Sequence, residues 1–176
     1  VGLFPIAVAG YNIEELLKGA RESNKKEAFK YAIIRDILYR RNKTIESFTI
    51  YEPKLYYFTE WLKQLFAETQ GKDNKGILPV SVINTRDLHS LGQFYQEGSK
   101  FIFETVIDVK GKEDSNWLSS FNNIAAVQVA KAHFKAETYS NFIKIDKLDE
   151  YHLGYLIYFF ELSAAIGGYL LDINPF

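Results

Sequence analysis

The sequence has no cysteine and no methionine, and it is sparing with proline and glycine. Without cysteine there is no disulfide and no thiolate chemistry, and a reducing compartment is compatible with that. Four prolines and eleven glycines in 176 residues are too few for a collagen-like or low-complexity chain. An excess of charge is missing too. Lys plus Arg number 21 against 22 Asp plus Glu, a formal charge of -1, so neither nucleic acid nor anionic lipid is an expected partner. The turn Gly71–Gly76 lacks the Lys-Ser/Thr ending of a phosphate loop, and no Gly-x-Ser-x-Gly elbow occurs. His89, His133 and His152 lie too far apart for a zinc motif, so no metal site is expected. No signal peptide, transit sequence or lipidation motif stands at the start, and a first residue of Val1 reads as a cut.

What the chain has in quantity is apolar and aromatic surface. Hydrophobic residues make up 47% and charged residues 24%, the balance of a folded globular chain. Its length suits one large domain with a substantial core, so a single domain over 1–176 is expected. Twelve Tyr and 14 Phe point to a well-filled core or a subunit interface. Residues 151–171 are apolar for most of their length, but Glu161 sits mid-way and Gly154, Gly167 and Gly168 interrupt them. A buried helix is the expected reading, and no membrane partner follows from it.

Periodicity divides the rest. Residues 1–10 are an apolar patch containing Pro5. Asn12 to Gly19 reads as a short helix with Asn12 as N-cap and Glu15 three residues on, a capping box. Ala28, Tyr31, Ala32, Ile34, Ile37 and Leu38 recur at helical spacing within Asn24–Arg41. Ser47 to Tyr51 alternates as a strand does, and Leu55, Phe58, Leu62, Leu65 and Phe66 mark the face of a helix ending near Glu68. Val80–Asn84 and Phe101–Val109 are β-branched enough for buried strands, with a helix over Asp87–Gln96 between them. A charged loop (Lys110–Ser115), a helix over Leu118–Ala136 and a short strand over Phe142–Ile145 precede the last apolar helix. Strands alternating with helices imply an α/β fold with a parallel sheet.

Two residues stand out as acid–base candidates. His89 falls in the first turn of its helix, capped by Thr85 or Asp87; the positive end of the dipole there favours a neutral ring that can take or give a proton. Glu68 ends an amphipathic helix one helical step after Gln64. A carboxylate at such an end, over the carboxyl edge of a strand, is where α/β folds keep their sites. A solvated surface residue is the plainer reading of each. His133 and His152 are expected to be structural.

Two blocks carry a resemblance. Tyr51-Glu52-Pro53-Lys54-Leu55 running into Glu60-Trp61-Leu62-Lys63-Gln64-Leu65-Phe66-Ala67-Glu68 and Gly71-Lys72 resembles the segment bearing the catalytic base of the glucose-6-phosphate isomerase family, bacterial type. Thr85-Arg86-Asp87-Leu88-His89-Ser90-Leu91-Gly92-Gln93, continued by Gln96-Glu97-Gly98, resembles the block of that family's ring-opening histidine. Val1–Gly10 and Leu153–Phe176 are similar to family segments as well.

The resemblance implies a three-layer α/β/α sugar-isomerase (SIS) domain with a mainly parallel sheet, the C-terminal one of a two-SIS-domain enzyme. It implies Glu68 as general base, His89 as the ring-opening group, acting in the partner subunit's site, and Gln64 as a substrate contact. Glucose 6-phosphate and fructose 6-phosphate would interconvert through a cis-enediolate, a step of glycolysis and gluconeogenesis, in a cytoplasmic homodimer without metal or cofactor. The chain departs from the family in three ways. A Gly-Gly-Arg-Tyr-Ser motif expected before Val1 and a Gln-x-Gly-Val-Glu-x-x-Lys motif expected after Phe176 have no counterpart, nor does the other SIS domain with its phosphate cradle. The chain alone is therefore expected to be inactive. Two rivals stand beside this reading: a sugar-phosphate-binding SIS module without turnover, and an inactive structural fragment.

Overall fold

Four strands alternate with helices and all run parallel, in the order β2-β1-β3-β4. The structure is a computed structural model that describes residues 2–111 and 117–176. Its helices are α1 (Leu3–Val8), α2 (Ile13–Glu22), α3 (Lys25–Arg40), α4 (Tyr56–Gln70), α5 (Arg86–Glu97), α6 (Trp117–Lys135) and α7 (Glu150–Leu170). Its strands are β1 (Ile45–Ile50), β2 (Leu78–Ile83), β3 (Ile102–Gly111) and β4 (Ser140–Lys147). The expected α/β/α layering is present, and the sheet is wholly rather than mainly parallel. Of the charged loop expected at Lys110–Ser115, Lys110 and Gly111 end β3 and the rest lies outside the described residues.

The apolar N-terminal patch is helical. Pro5 sits in the first turn of α1, where no intrahelical donor is needed. Asn12 caps α2 by accepting the Glu15 N–H at 3.1 Å. The return bond of a capping box is absent, and the Asn12 N–H reaches Glu150 Oε1 at 3.4 Å instead, tying α2 to the start of α7.

The two faces of the sheet are built differently. Beneath α3, α4 and α7, Phe48 and Ile50 of β1, Ile107 and Val109 of β3 and Ile145 of β4 join Leu62, Phe66, Phe159 and Phe160 in one apolar cluster. Phe160 lies edge-on to Phe48 (5.9 Å), Phe66 (6.2 Å), Tyr31 (5.7 Å) and Phe159 (5.2 Å), the geometry that ring quadrupoles prefer. Beneath α5 and α6 the apolar cluster among the described residues is small: Tyr51, Val106 and Ala126, with Ala125 and Phe142 against it.

α7 is long and apolar enough to cross a membrane by length and composition, but its packing accounts for its hydrophobicity. Leu156, Phe159, Phe160, Ser163 and Ala164 are buried against the other helices and the sheet. Where α2 crosses α7, Gly19 meets the Tyr151 carbonyl and Gly154 meets the Leu16 carbonyl. A Cβ at either would run into the facing backbone, so the two helices touch main chain to main chain.

The β1–α4–β2 connection lies on one face and the β2–α5–β3 connection on the other. The strand order therefore reverses between β1 and β3, whose carboxyl ends form the switch point of an open α/β sheet.

Candidate active site

α4 leaves the carboxyl end of β1 through a 3₁₀ turn at Pro53–Leu55 and runs back along the sheet to Gln70. Its last turn, with Glu68, thus lies at the amino edge of the strands. This corrects the expectation of a carboxyl-edge carboxylate: a crossover helix between parallel strands is antiparallel to both. Glu68 and Gln64 are both exposed, and Gln64 Nε2 donates to Glu68 Oε1 at 3.0 Å. Among the described residues that amide is the carboxylate's one hydrogen-bond partner. One carboxylate oxygen is oriented by that bond, and the other has no hydrogen-bond partner among the described residues.

The residues just beyond Glu68 are anchored. Gln70 is buried, donating to the Ala164 carbonyl at 3.0 Å and accepting from Arg35 Nη1 at 2.8 Å. Arg35 in turn pairs with Glu46 at 2.7 Å, both side chains almost wholly buried. Tyr31 and Thr105 also donate to or share hydrogen bonds with the Glu46 carboxylate. Lys72 Nζ holds the Asn174 carbonyl at 2.8 Å and Lys75 Nζ the Leu171 carbonyl at 2.8 Å. The end of α4 and the end of α7 are thereby fixed to each other.

His89 lies at the opposite edge. β2 passes through a cis Asn84–Thr85 peptide into α5, whose first turn stands over the carboxyl ends of the strands. The expected cap is not made. Thr85 is the N-cap residue without a side-chain bond, and Asp87 Oδ2 reaches back to the Ile83 N–H at 2.8 Å while gripping Arg86 at 2.8 and 2.9 Å. That guanidinium, aided by the Ile83 N–H, holds the Asp87 carboxyl below its usual range. His89 is exposed, and among the described residues its ring has no hydrogen bond or ion pair. Nearby, Asn84 Nδ2 donates to the buried Tyr51 hydroxyl at 3.0 Å, and burial pushes that phenol up to about 12.

Glu68 and His89 are not brought together in one chain. A six-residue strand such as β1 spans about 20 Å, and the two residues stand beyond its opposite ends. His152 opens α7: Asp149 caps the helix by accepting the His152 N–H at 2.9 Å and contacts its ring at 2.7 Å.

Sequence reasoning missed a cluster under α5 and α6. Glu104, 2% exposed, meets His133 Nδ1 at 2.7 Å and Ser140 Oγ at 2.9 Å through one oxygen and Thr49 Oγ1 at 3.3 Å through the other. The His133 ring stacks on Tyr95 with centroids 4.9 Å apart and planes at 9°. The signal was a carboxylate inside the apolar run Ile102–Val109, which must find partners when both faces of its sheet are covered. No group of three or more His, Asp or Glu able to hold a metal occurs among the described residues.

No family model matches the chain. It is 44% identical, over an alignment of 204 positions, to the glucose-6-phosphate isomerases of Bacillus thuringiensis (strain Al Hakam) and Bacillus cereus (strain B4264), covering 100% of this chain and 45% of each relative. The chain thus spans under half the length of these relatives and is similar to them from end to end. The resemblance read from the Glu68 and His89 blocks is borne out. Among solved structures, a hypothetical protein from Thermus thermophilus has the same fold over 98% of this chain and 48% of its own (TM-score 0.83, 20% identity). A glucose-6-phosphate isomerase from Chlamydia trachomatis matches 76% of this chain and 31% of its own (TM-score 0.64, 22% identity). At those identities the likeness concerns the fold.

Proposed function

We propose that this chain is one SIS domain of a glucose-6-phosphate isomerase and supplies two groups to its chemistry, the base Glu68 and the ring-opening histidine His89. The observation that carries the reading is the end-to-end similarity to enzymes of that name at 44% identity. In the reaction, His89 moves the proton that opens the pyranose. Glu68 then takes the C2 proton of glucose 6-phosphate and returns it to C1, while a hydroxyl proton shifts between the two oxygens. Nothing is oxidised or reduced overall, and the enediolate between needs a fixed positive charge nearby. The exposed carboxylate, held through one oxygen by Gln64, suits a base that becomes enclosed when the rest of the enzyme covers it.

The opposite placement of Glu68 and His89 supports a homodimer, in which the histidine serving one Glu68 comes from a second copy. The other half of the enzyme would bring the phosphate cradle and the cationic clamp, so the 176 residues alone turn over no sugar phosphate. The setting is cytoplasmic, as befits a glycolytic enzyme.

The test is Glu68→Gln in the enzyme that carries both halves. The amide keeps the shape and cannot accept the proton. A loss in kcat of about 10² to 10⁴, with KM little changed, is the expected result. Exchange of the C2 proton of glucose 6-phosphate with solvent at near wild-type rate would place the base elsewhere.

A further inference from the structure

Among the described residues, α5 is held at few points for a helix that carries a reactive group. Of its twelve residues only Tyr95 is buried, at 4% exposure. That ring lies flat on His133 of α6, whose Nδ1 is fixed by Glu104 of β3. The Tyr95 carbonyl is itself gripped by Thr138 Oγ1 at 3.0 Å. Burial pushes the Tyr95 phenol well up, with the Ser47 hydroxyl pulling it partly back, so the ring is neutral and seated among polar groups. At the other end α5 is tied down through Asp87 to the Ile83 N–H. Among the described residues, an anchor two residues before His89 and another six residues after it bracket that side chain. Six residues of helix cover about 9 Å, short enough for a tilt at Tyr95 to move the imidazole.

We propose that Tyr95, His133 and Glu104 form a positioning stack whose task is to aim α5, and with it His89, at the sugar ring. The stack touches no substrate. It acts through the rigid helix, and the planar contact carries the orientation: a flat ring on a flat ring resists rolling of the helix in a way that an aliphatic contact does not. The proposal rests on the reading of His89 as the ring-opening group, and it predicts that damage to the stack injures ring opening selectively.

Two readouts in the full enzyme separate the steps. Interconversion of the α and β anomers of glucose 6-phosphate requires only that the ring open and close, whereas solvent exchange at C2 of an open-chain aldose phosphate reports Glu68. Tyr95→Leu is expected to slow anomer interconversion about tenfold or more, in keeping with the cost of an ångström-scale misplacement, and to leave C2 exchange within about twofold. Tyr95→Phe keeps the stacked ring and is expected to restore the anomer rate. Should Tyr95→Leu fail to fold, His133→Leu removes the other half of the stack and carries the same expectation. Parallel loss of both activities, or no loss of either in a folded variant, would overturn the proposal. His89→Ala is the control for the underlying reading: normal anomer interconversion in that variant would overturn the role of His89 itself, and the stack's role with it.

Discussion

The two faces of the sheet are stabilised by different means. Under α3, α4 and α7 a continuous apolar cluster, centred on Phe160, surrounds a buried ion pair. Under α5 and α6, among the described residues, the buried groups of β1 are Ser47 and Thr49, and a carboxylate, Glu104, is shared by His133, Thr49 and Ser140. Close apolar packing is strong and rigid because many small dispersion contacts add up. A hydrogen-bonded layer adds less net stability but specifies orientation, since each partner must keep its angle. The helix bearing Glu68 rides on the first kind of layer and the helix bearing His89 on the second. Substitutions on the first should therefore be felt mainly as lost stability, and on the second mainly as lost alignment.

That contrast is open to attack by urea unfolding of the chain. Emptying the dense face by Phe160→Ala should be the most damaging change, costing about 3 to 5 kcal/mol for the cavity left among five rings. Arg35→Met belongs to the same range, about 3 to 5 kcal/mol, because it strands the Glu46 carboxylate in the core. Replacing Arg35 and Glu46 together by Met and Leu removes the stranded charge, and most of the loss should be recovered. If the double variant is no better than the single one, the ion pair contributes more than its desolvation costs.

On the polar face, His133→Leu should cost less, about 1 to 3 kcal/mol, for the donor withdrawn from Glu104. A loss equal to that of Phe160→Ala would erase the distinction between the faces. The smallest effect is expected from Asp87→Asn at the start of α5, and it should depend on pH. The Asp87 carboxyl is held low when folded, so the unfolded chain binds its proton first. Its contribution is then complete above about pH 4, the unfolded value, and fades as pH falls through the folded one. The difference between wild type and variant measured at neutral pH should close on acidification. A gap that persists unchanged in strong acid, at about pH 2 and well below the unfolded value, would show that the carboxyl's charge plays no part.

Much of the fold was legible in the chain. Each strand and every helix from α2 onward was read in order, with ends off by a few residues, because apolar periodicity and turn residues mark them. α1 was not, since six residues around a proline carry too little pattern to declare a helix. Less visible was the polar layer. Ser47 and Thr49 alternate with Phe48 and Ile50 as if turned to solvent, and only the cover of α5 and α6 shows that they are buried. For the site, resemblance to a family singled out Glu68 and His89, while periodicity alone left both as plausible surface residues. Their placement at opposite edges could have been derived: a helix that returns to start a parallel strand must end where that strand begins. Nothing local in the sequence marks Tyr95, since its partner, His133, lies far along the chain on another element.

The bare main-chain crossing of α2 and α7 at Gly19 and Gly154 has a bearing on how the molecule assembles in time. The surface that α2 needs is made of residues that leave the ribosome more than a hundred positions later. Until then α2 lacks the helix that buries Leu16 and Gly19, and its apolar residues remain available to chaperones or to other nascent chains. Contacts of such long sequence separation are entropically late, so α7 seals this crossing late rather than decorating it. A pause in synthesis between β4 and α7 would therefore hold the chain in its most aggregation-prone form.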